Sequence, residues 1–299
     1  MCWLLALAAA MPAQRTITVG GEPSVEAVLA DAARYVREYQ QALTYLVADE
    51  QYRQQIRGQV PLIKAMPRTR ALKSEIFFMF APDNRDWMAI RDVSEMDGRP
   101  IEGRPDLKTA LQLLPASQVA GAFKSYNSRY NLGRISRNFN EPTLSLLVLD
   151  DRHRARFTFE RRRTARTGDA LVVTLGFSEQ AEPTLIRDLN LQPVFSTGEL
   201  VVEAGTGRIR RAVLRVTIGA VNMEFTTEYA RDAGLDLWVP ASFREQYEDG
   251  MLGMQAQSTP AARRNNLGTQ SQYEEIICDA TYTNYRRFEV LGRIKKLHY

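Results

Sequence analysis

The chain has 299 residues, of which 44% are hydrophobic and 25% are charged, a composition typical of a globular protein with a large core. The 39 basic and 35 acidic residues leave a net charge of +4, which is a weak excess and does not indicate a nucleic-acid partner. Cys2 lies at the extreme start, so a processed chain would keep only Cys278 and form no internal disulfide.

The chain begins with an uninterrupted apolar run from Trp3 to Ala10, followed by small residues. This run is shorter than the roughly 20 apolar residues that a membrane-spanning helix needs. It fits the core and cleavage region of a secretory signal, without the usual basic start. We therefore expect residues 1–13 to be a signal segment, truncated at its start, and a bacterial protein that is periplasmic or secreted. The alternative is a frayed or buried N-terminal helix. The rest of the chain has no stretch of transmembrane length.

Residues 23–42 have the apolar spacing of an amphipathic helix, with Ser24 suited to its start. Strands are predicted at 43–57, 70–80 and 87–96, with turn signals at 82–84 and at Asp97-Gly98. Residues 104–133 change to helical periodicity, and the apolar run 142–149 is ambiguous. We therefore expect a helical insertion at about 104–149 between strands.

From about residue 154 the chain alternates between apolar and polar residues, which predicts β-strands. The clearest pairing signal is a type II′ turn at Gly219-Ala220. This turn would place Leu214 opposite Phe225 and Arg215 opposite Glu224, so one register satisfies an apolar face and a charged face together. Further strands are predicted at 235–248 and 273–290. The Gly-, Gln-, Asn- and Ser-rich residues between them, 249–270, predict a mobile or functional loop.

Common catalytic and metal-binding patterns are missing from the sequence. Its two histidines are His153, in a highly charged turn, and His298, next to the last residue. No nucleophile elbow and no paired Cys or His spacing occurs, so we predict no catalytic residue, no metal ligand and no cofactor. Carboxylate pairs follow no spacing rule, which leaves an enzyme of unfamiliar type open as a minor alternative.

A basic cluster comprises Arg161, Arg162, Arg163 and Arg166, directly after Glu160. We place it at a strand end. It would either meet phosphates or lipid headgroups or form a solvated hairpin turn, and we favour the turn.

Several local patterns recur together in this sequence. They are the N-terminal helix leading into a long strand, a hairpin around Asp97-Gly98, inserted helices, a hairpin at 205–209, Leu237-Trp238-Val239-Pro240, and the closing residues 280–285. In combination they resemble the LolA/LolB-like family of periplasmic carriers and sensors, over roughly residues 25–290. The resemblance implies one α+β domain over 14–299, with a curved antiparallel sheet, an incomplete barrel, and inserted helices on its concave side. Carriers of this kind hold acyl chains there, and related sensors bind envelope proteins.

Two functions follow as hypotheses, both non-catalytic. A carrier or sensor of a lipid or lipoprotein acyl chain requires an apolar cavity, whereas an envelope interaction or scaffold protein requires a filled core and an exposed apolar or edge-strand surface. The candidate cavity residues come from the inward rows of the later strands and from the inserted helices. They are Phe157, Phe159, Leu214, Val216, Met223, Phe225, Phe243, Leu114 and Phe123.

Overall fold

The computed structural model describes residues 22–57, 68–81, 86–135, 137, 141–249 and 274–288. The signal segment expected at 1–13 lies outside these ranges. The loop expected at 249–270 also lies outside them, apart from Asp249, which is the last residue of a strand.

Helices and strands within the described ranges follow the predicted order along the chain. The α-helices are α1 (Val25–Leu43), α2 (Leu107–Leu113) and α3 (Ala116–Asn127), and short 3₁₀ helices occupy Ser128–Tyr130, Leu144–Leu149 and Arg154–Arg156. The strands are β1 (Leu46–Arg57), β2 (Thr69–Ala81), β3 (Asp86–Met96), β4 (Arg99–Pro100), β5 (Phe157–Thr167), β6 (Ala170–Glu179), β7 (Ile186–Arg187), β8 (Pro193–Val194), β9 (Thr197–Glu203), β10 (Ile209–Ile218), β11 (Val221–Asp232), β12 (Leu237–Asp249) and β13 (Glu274–Arg287).

Eleven of these strands form one sheet in the order β4-β3-β2-β1-β13-β12-β11-β10-β9-β6-β5. Every neighbouring pair is antiparallel. Because β4 and β5 lie at opposite edges, the described sheet does not close into a barrel. Strands β7 and β8 pair only with each other. The predicted α+β class, with an open antiparallel sheet and an N-terminal helix, is confirmed.

The predicted hairpin register is confirmed in β10 and β11. Leu214 pairs with Phe225 and Arg215 with Glu224. The Arg215 Nε donates to Glu224 Oε2 at 2.7 Å on the exposed side. Gly219 has a φ of 60°, as the first residue of a type II′ turn requires. This two-residue turn therefore determines the register, and with it which side chains of β10 and β11 lie on the apolar face and which on the charged face.

Helix α1 covers one face of the sheet, which we call the inner face. The helix begins at Ser24, whose Oγ accepts a hydrogen bond from the Ala27 amide at 3.1 Å. Its buried stripe recurs every three or four residues and packs against every second residue of the strands. The stripe consists of Val28, Ala32, Val36, Tyr39 and Leu43. The 3₁₀ helix Leu144–Leu149, the run that was ambiguous in the sequence, joins the same core.

Helices α2 and α3 pack on the opposite face of the sheet, so the expectation that the inserted helices lie beside α1 requires correction. Val119 and Phe123 of α3 form a separate cluster with Phe77 and Met88. The reason is the period-2 alternation of β2 and β3, which points Phe78 to the inner face and Phe77 to the outer one. Both faces of these strands are apolar, so each needs its own cover.

The basic cluster lies within a strand instead of a hairpin turn. Strand β5 continues to Thr167, and the turn comes at Gly168 and Asp169. Arg161, Arg162, Arg163 and Arg166 therefore belong to the strand at one edge of the sheet.

The contact between α1 and the turn after β9 can be tested with a pair of glycines. Gly207 and Gly205 both have positive φ, but a Cβ at Gly207 would collide with the Asp31 carbonyl of α1, whereas a Cβ at Gly205 meets open space. We expect Gly207→Ala to lower the free energy of unfolding by about 1–3 kcal/mol more than Gly205→Ala. Both substitutions place a Cβ on a left-handed backbone, but only the Cβ at position 207 collides with α1. Urea denaturation measures the difference. Equal losses would show that α1 does not rest on this turn.

Candidate binding site

Seven of the nine side chains predicted to border a cavity meet on the inner face. They lie on β5, β10, β11 and β12 and belong to the same core as α1. Six of them are at most 7% exposed, and Phe159 is partly buried. The seven are Phe157, Phe159, Leu214, Val216, Met223, Phe225 and Phe243.

The aromatic rings of this group contact one another directly. The rings of Phe225 and Phe243 stack with their centroids 6.3 Å apart. Tyr247 meets Phe225 edge to face at 5.9 Å, and Phe177 meets Phe157 edge to face at 5.8 Å. These separations lie in the range of contacting aromatic pairs. The side chains proposed to line a cavity therefore fill the space between themselves.

Leu114 and Phe123 do not reach this face. Leu114 follows α2 and is 48% exposed, and Phe123 lies in the outer cluster under α3. Their expected inward placement assumed that the inserted helices share the face of α1. Instead, α3 packs on the outer face, where the alternation of β2 and β3 places Phe77 and Met88.

Two open grooves of mixed polarity, formed by described residues, lie near strand ends. One of about 540 Å³ runs past β5, β6, β9 and β10, and an adjoining one of about 400 Å³ runs past β10, β11 and β12. Both are bordered by Thr197 and Arg215. They touch the predicted set only at Phe159, Val216 and Met223. Neither is an enclosed apolar space.

Two further findings concern the described residues alone. They contain no group of three or more His, Cys, Asp or Glu side chains placed to hold a metal ion. None of their helices combines the length and the hydropathy needed to span a membrane.

A buried ion pair lies on the inner face between β1 and β3. The Arg91 guanidinium donates to both carboxylate oxygens of Glu50, from Nε at 2.5 Å and from Nη2 at 2.7 Å, with both residues at most 5% exposed. The same guanidinium lies 4.0 Å from the centroid of the Tyr52 ring. Burial opposes the charged form of Arg91, but the Glu50 carboxylate outweighs it and raises the pKa of Arg91.

A second buried carboxylate, Glu245, lies beside this pair. Tyr52 Oη donates to one of its oxygens at 3.1 Å and Tyr247 Oη donates to the other. Burial raises the pKa of Glu245, and nearby Arg91 opposes that effect. Burial also raises the pKa of the Cys278 thiol to about 12. At neutral pH Cys278 is therefore a protonated thiol and lacks the thiolate that a nucleophile or metal ligand needs.

Arg137 extends the network to the segment that follows α3. Its guanidinium donates to the Gln54 Oε1 and to the Leu132 carbonyl. The Gln54 side chain also accepts from the Leu132 amide at 2.9 Å and donates to the Tyr130 carbonyl at 2.9 Å. One buried amide of β1 thus fixes the backbone of the segment at two points.

The network thus contains one ion pair, Glu50 with Arg91, beside Glu245, which accepts from two tyrosines, and Arg137, which donates to an amide and a carbonyl. Such buried, internally paired groups specify one packing arrangement, since an unpaired member is costly. Sequence reasoning missed the network, yet a signal was present. Glu50 interrupts the inner row of β1, which is apolar at Ala48 and aromatic at Tyr52.

An exposed apolar tip lies on the β7–β8 hairpin, which the sequence did not predict. Leu189 is 96% exposed and Leu191 is 70% exposed. The tip is nevertheless ordered, because the Asp188 carboxylate accepts hydrogen bonds from the Asn190 and Gln192 amides, both at 2.8 Å. Leu191 has a φ of 61°, which is unfavourable for a leucine. The hairpin therefore holds two leucines in water at a cost to its own backbone.

Glu179 attaches this hairpin to the sheet. One carboxylate oxygen accepts from the Leu185 amide at 2.7 Å, and the other accepts from Ser196 Oγ at 2.9 Å. Ile186 and Val194 at the hairpin's base are buried in the main core. The base of the hairpin is thus fixed to the sheet, while Leu189 and Leu191 at its tip are exposed to solvent.

Comparison with known proteins gives similarity at the level of structures only. No family model matches the chain, and no curated protein matches it. Solved structures that it matches include a LolA superfamily protein from Nitrosomonas europaea, with 13% identity and a TM-score of 0.32, covering 90% of this chain and 95% of the other.

Two further structures match over a similar length. A domain described as an outer membrane lipoprotein-sorting protein, from Vibrio parahaemolyticus, shares 7% identity at a TM-score of 0.33, covering 88% of this chain and 95% of the other. A DUF1329 family protein from Desulfovibrio piger shares 12% identity at a TM-score of 0.38, covering 90% and 95%. These matches agree with the resemblance seen in the sequence.

The buried ion pair predicts a clear contrast between two glutamates. We expect Glu50→Gln to lower the free energy of unfolding by about 3–5 kcal/mol, because it removes the carboxylate charge that faces the buried Arg91 guanidinium. Glu224→Gln removes the nearer of two carboxylate partners of Arg215 at an exposed site and should cost less than about 1 kcal/mol. Chemical denaturation of both variants checks this expectation. A small loss for Glu50→Gln would mean that water reaches Arg91.

Proposed function

We propose that this protein is an exported, non-catalytic binding protein of the cell envelope that engages a partner protein at its surface. The observation that carries the proposal is the filled inner face, where six predicted cavity side chains are at most 7% exposed. Export is supported by the apolar run at residues 3–10. A non-catalytic role is supported by the protonated Cys278 and by charged groups that are paired internally.

The β7–β8 tip supplies the exposed apolar surface that such a protein requires. Isolated exposed leucines are ordinary, but two on one ordered hairpin, with Phe195 49% exposed beside its base, are typical of an interaction site. The left-handed Leu191 strengthens this interpretation, since backbone strain often marks a functional position.

A carrier of a lipid or lipoprotein acyl chain is the second candidate. The convergence of apolar side chains beneath α1 favours this candidate. An acyl chain could bind among them if α1 and the 3₁₀ helix Leu144–Leu149, which cover the inner face, moved away from the sheet. The cover would move as a unit: Gln40 of α1 donates to Asp150, next to the 3₁₀ helix Leu144–Leu149, at 3.1 Å. In the closed arrangement the space is occupied by protein side chains.

A substitution in the core separates the two candidates. We expect Leu214→Trp to lower the free energy of unfolding by about 1–3 kcal/mol, because a filled core is overpacked by the larger ring. Thr217→Trp, on the exposed side of the same strand, is the matched control and should change stability little. Urea denaturation gives both values, and mass spectrometry of an organic-solvent extract should find no acyl lipid. A tolerated Leu214→Trp together with stoichiometric lipid would establish the carrier instead.

Photocrosslinking tests the tip in living cells. A benzophenone amino acid at position 189 should yield a discrete protein adduct, whereas the same group at Thr217 should yield none. The double substitution Leu189→Ser and Leu191→Ser should leave the melting temperature nearly unchanged, since both side chains are exposed. A lipid-sized adduct at 189 would contradict a protein partner, and the absence of any adduct would contradict the role of the tip.

A further inference from the structure

Strand β5 is the end strand of the described sheet. It has 11 residues, and among the described strands it pairs only with β6. Among the described residues, its other side therefore offers a row of backbone groups without strand partners, to which another extended segment could add. An edge strand of this length requires an explanation.

The side chains of β5 make this edge strongly basic. The register shifts between Arg161 and Arg163, so that one extra residue is inserted and both Arg162 and Arg163 are exposed. Arg162 pairs with Glu160 at 2.6 Å. Arg163 and Arg166 are exposed and have no ion-pair partner among the described residues. Within the described part of the chain, these two guanidiniums are thus available to anions.

The edge already binds one carboxylate of this chain. Glu22 Oε2 accepts from Arg161 Nη1 at 2.5 Å and from Thr164 Oγ1 at 3.3 Å. Arg161 also donates to the carbonyl of Pro23. The strand therefore recognises a carboxylate and an adjacent backbone carbonyl of a non-helical segment, which are the two groups that an acidic peptide presents.

We propose that β5 binds an acidic, extended segment of a partner protein by strand addition, with Arg163 and Arg166 pairing with its carboxylates. The inference rests on the proposed function, surface binding of a protein, and names the chemistry of that partner. A second copy of this chain is disfavoured, because two such edges would bring like charges together. Arginines spread along a strand beside unpaired backbone groups suit a polypeptide better than a compact phosphate.

Fluorescence anisotropy with the full chain at low salt tests the proposal. The probe is a labelled peptide of the same length as β5 that repeats Glu-Glu-Val, because Arg163 and Arg166 lie three residues apart on opposite faces of the strand and this repeat places Glu at positions three apart. We expect saturable binding that weakens about tenfold when Arg163 and Arg166 are both changed to Glu, because two attractive cross-strand pairs become repulsive. The matched control changes Arg53 and Arg57 to Glu on β1, which has neighbours on both sides, and should leave the affinity unchanged within about twofold.

Two comparisons and a substitute variant complete the design. A peptide N-methylated at every second residue should lose binding, because strand addition needs its backbone donors; equal binding would overturn the proposal. Vesicles of phosphatidylglycerol that displace the peptide from wild type, with the same dependence on Arg163 and Arg166, would also overturn it. If the Glu variant does not fold, as judged by circular dichroism, Arg163→Gln with Arg166→Gln replaces it.

The proposed function and this inference fail separately. The Leu189→Ser, Leu191→Ser variant should bind the acidic peptide as well as wild type does. Failed crosslinking at position 189 with intact peptide binding would count against the tip alone. Crosslinking at position 189 without binding of the acidic peptide would count against β5 alone.

Discussion

The open antiparallel sheet has an apolar inner face and an apolar patch on the outer face at β2 and β3, and the need to bury both organises the protein. Helix α1 and the 3₁₀ helix Leu144–Leu149 bury the inner face, and α3 buries the patch that β2 and β3 present on the other side. Because side chains alternate along a strand, no single layer of helices could cover both. The helical insertion is therefore divided between the faces. A sheet that does not close among the described strands also retains edges, and one of them, β5, is the proposed site for a partner.

The inner face is not uniformly apolar. Glu50, Arg91, Glu245 and Arg137 lie at its centre, paired with one another or with tyrosine, amide and carbonyl groups. Removing these charges from water is costly, and their mutual pairing offsets that cost only in one geometry. The network thus ties β1, β3, β12 and the segment after α3 into one arrangement.

Two surface features follow from the same architecture. The β7–β8 hairpin is anchored by Glu179 and by a buried base, so its leucines are presented on a stable support. Strand β5 is long, basic and unpaired on one side among the described strands. Charged edges normally prevent aggregation, and the same charges can select a partner of opposite sign. An apolar tip and a basic edge would together discriminate between partners more sharply than either alone.

Local patterns in the sequence determined a large part of the fold. Helix α1, most strands of the sheet and the register of Leu214 with Phe225 were predictable, because each depends on spacing or on a two-residue turn. The seven inner-face candidates were predictable from alternation. The β7–β8 hairpin was not, since strands of two residues carry no periodicity.

Only the tertiary structure decided what those elements surround. Strand β1 pairs with β13, from the opposite end of the chain, and β5 reaches the sheet edge only because β6 pairs with β9. Such long-range pairing determines which strand is left unpaired, which face α3 covers and whether the apolar rows meet each other or enclose a cavity. Spacing along the chain determines the face of a strand on which a side chain lies. It does not determine what packs against that face, because that depends on partners distant in sequence.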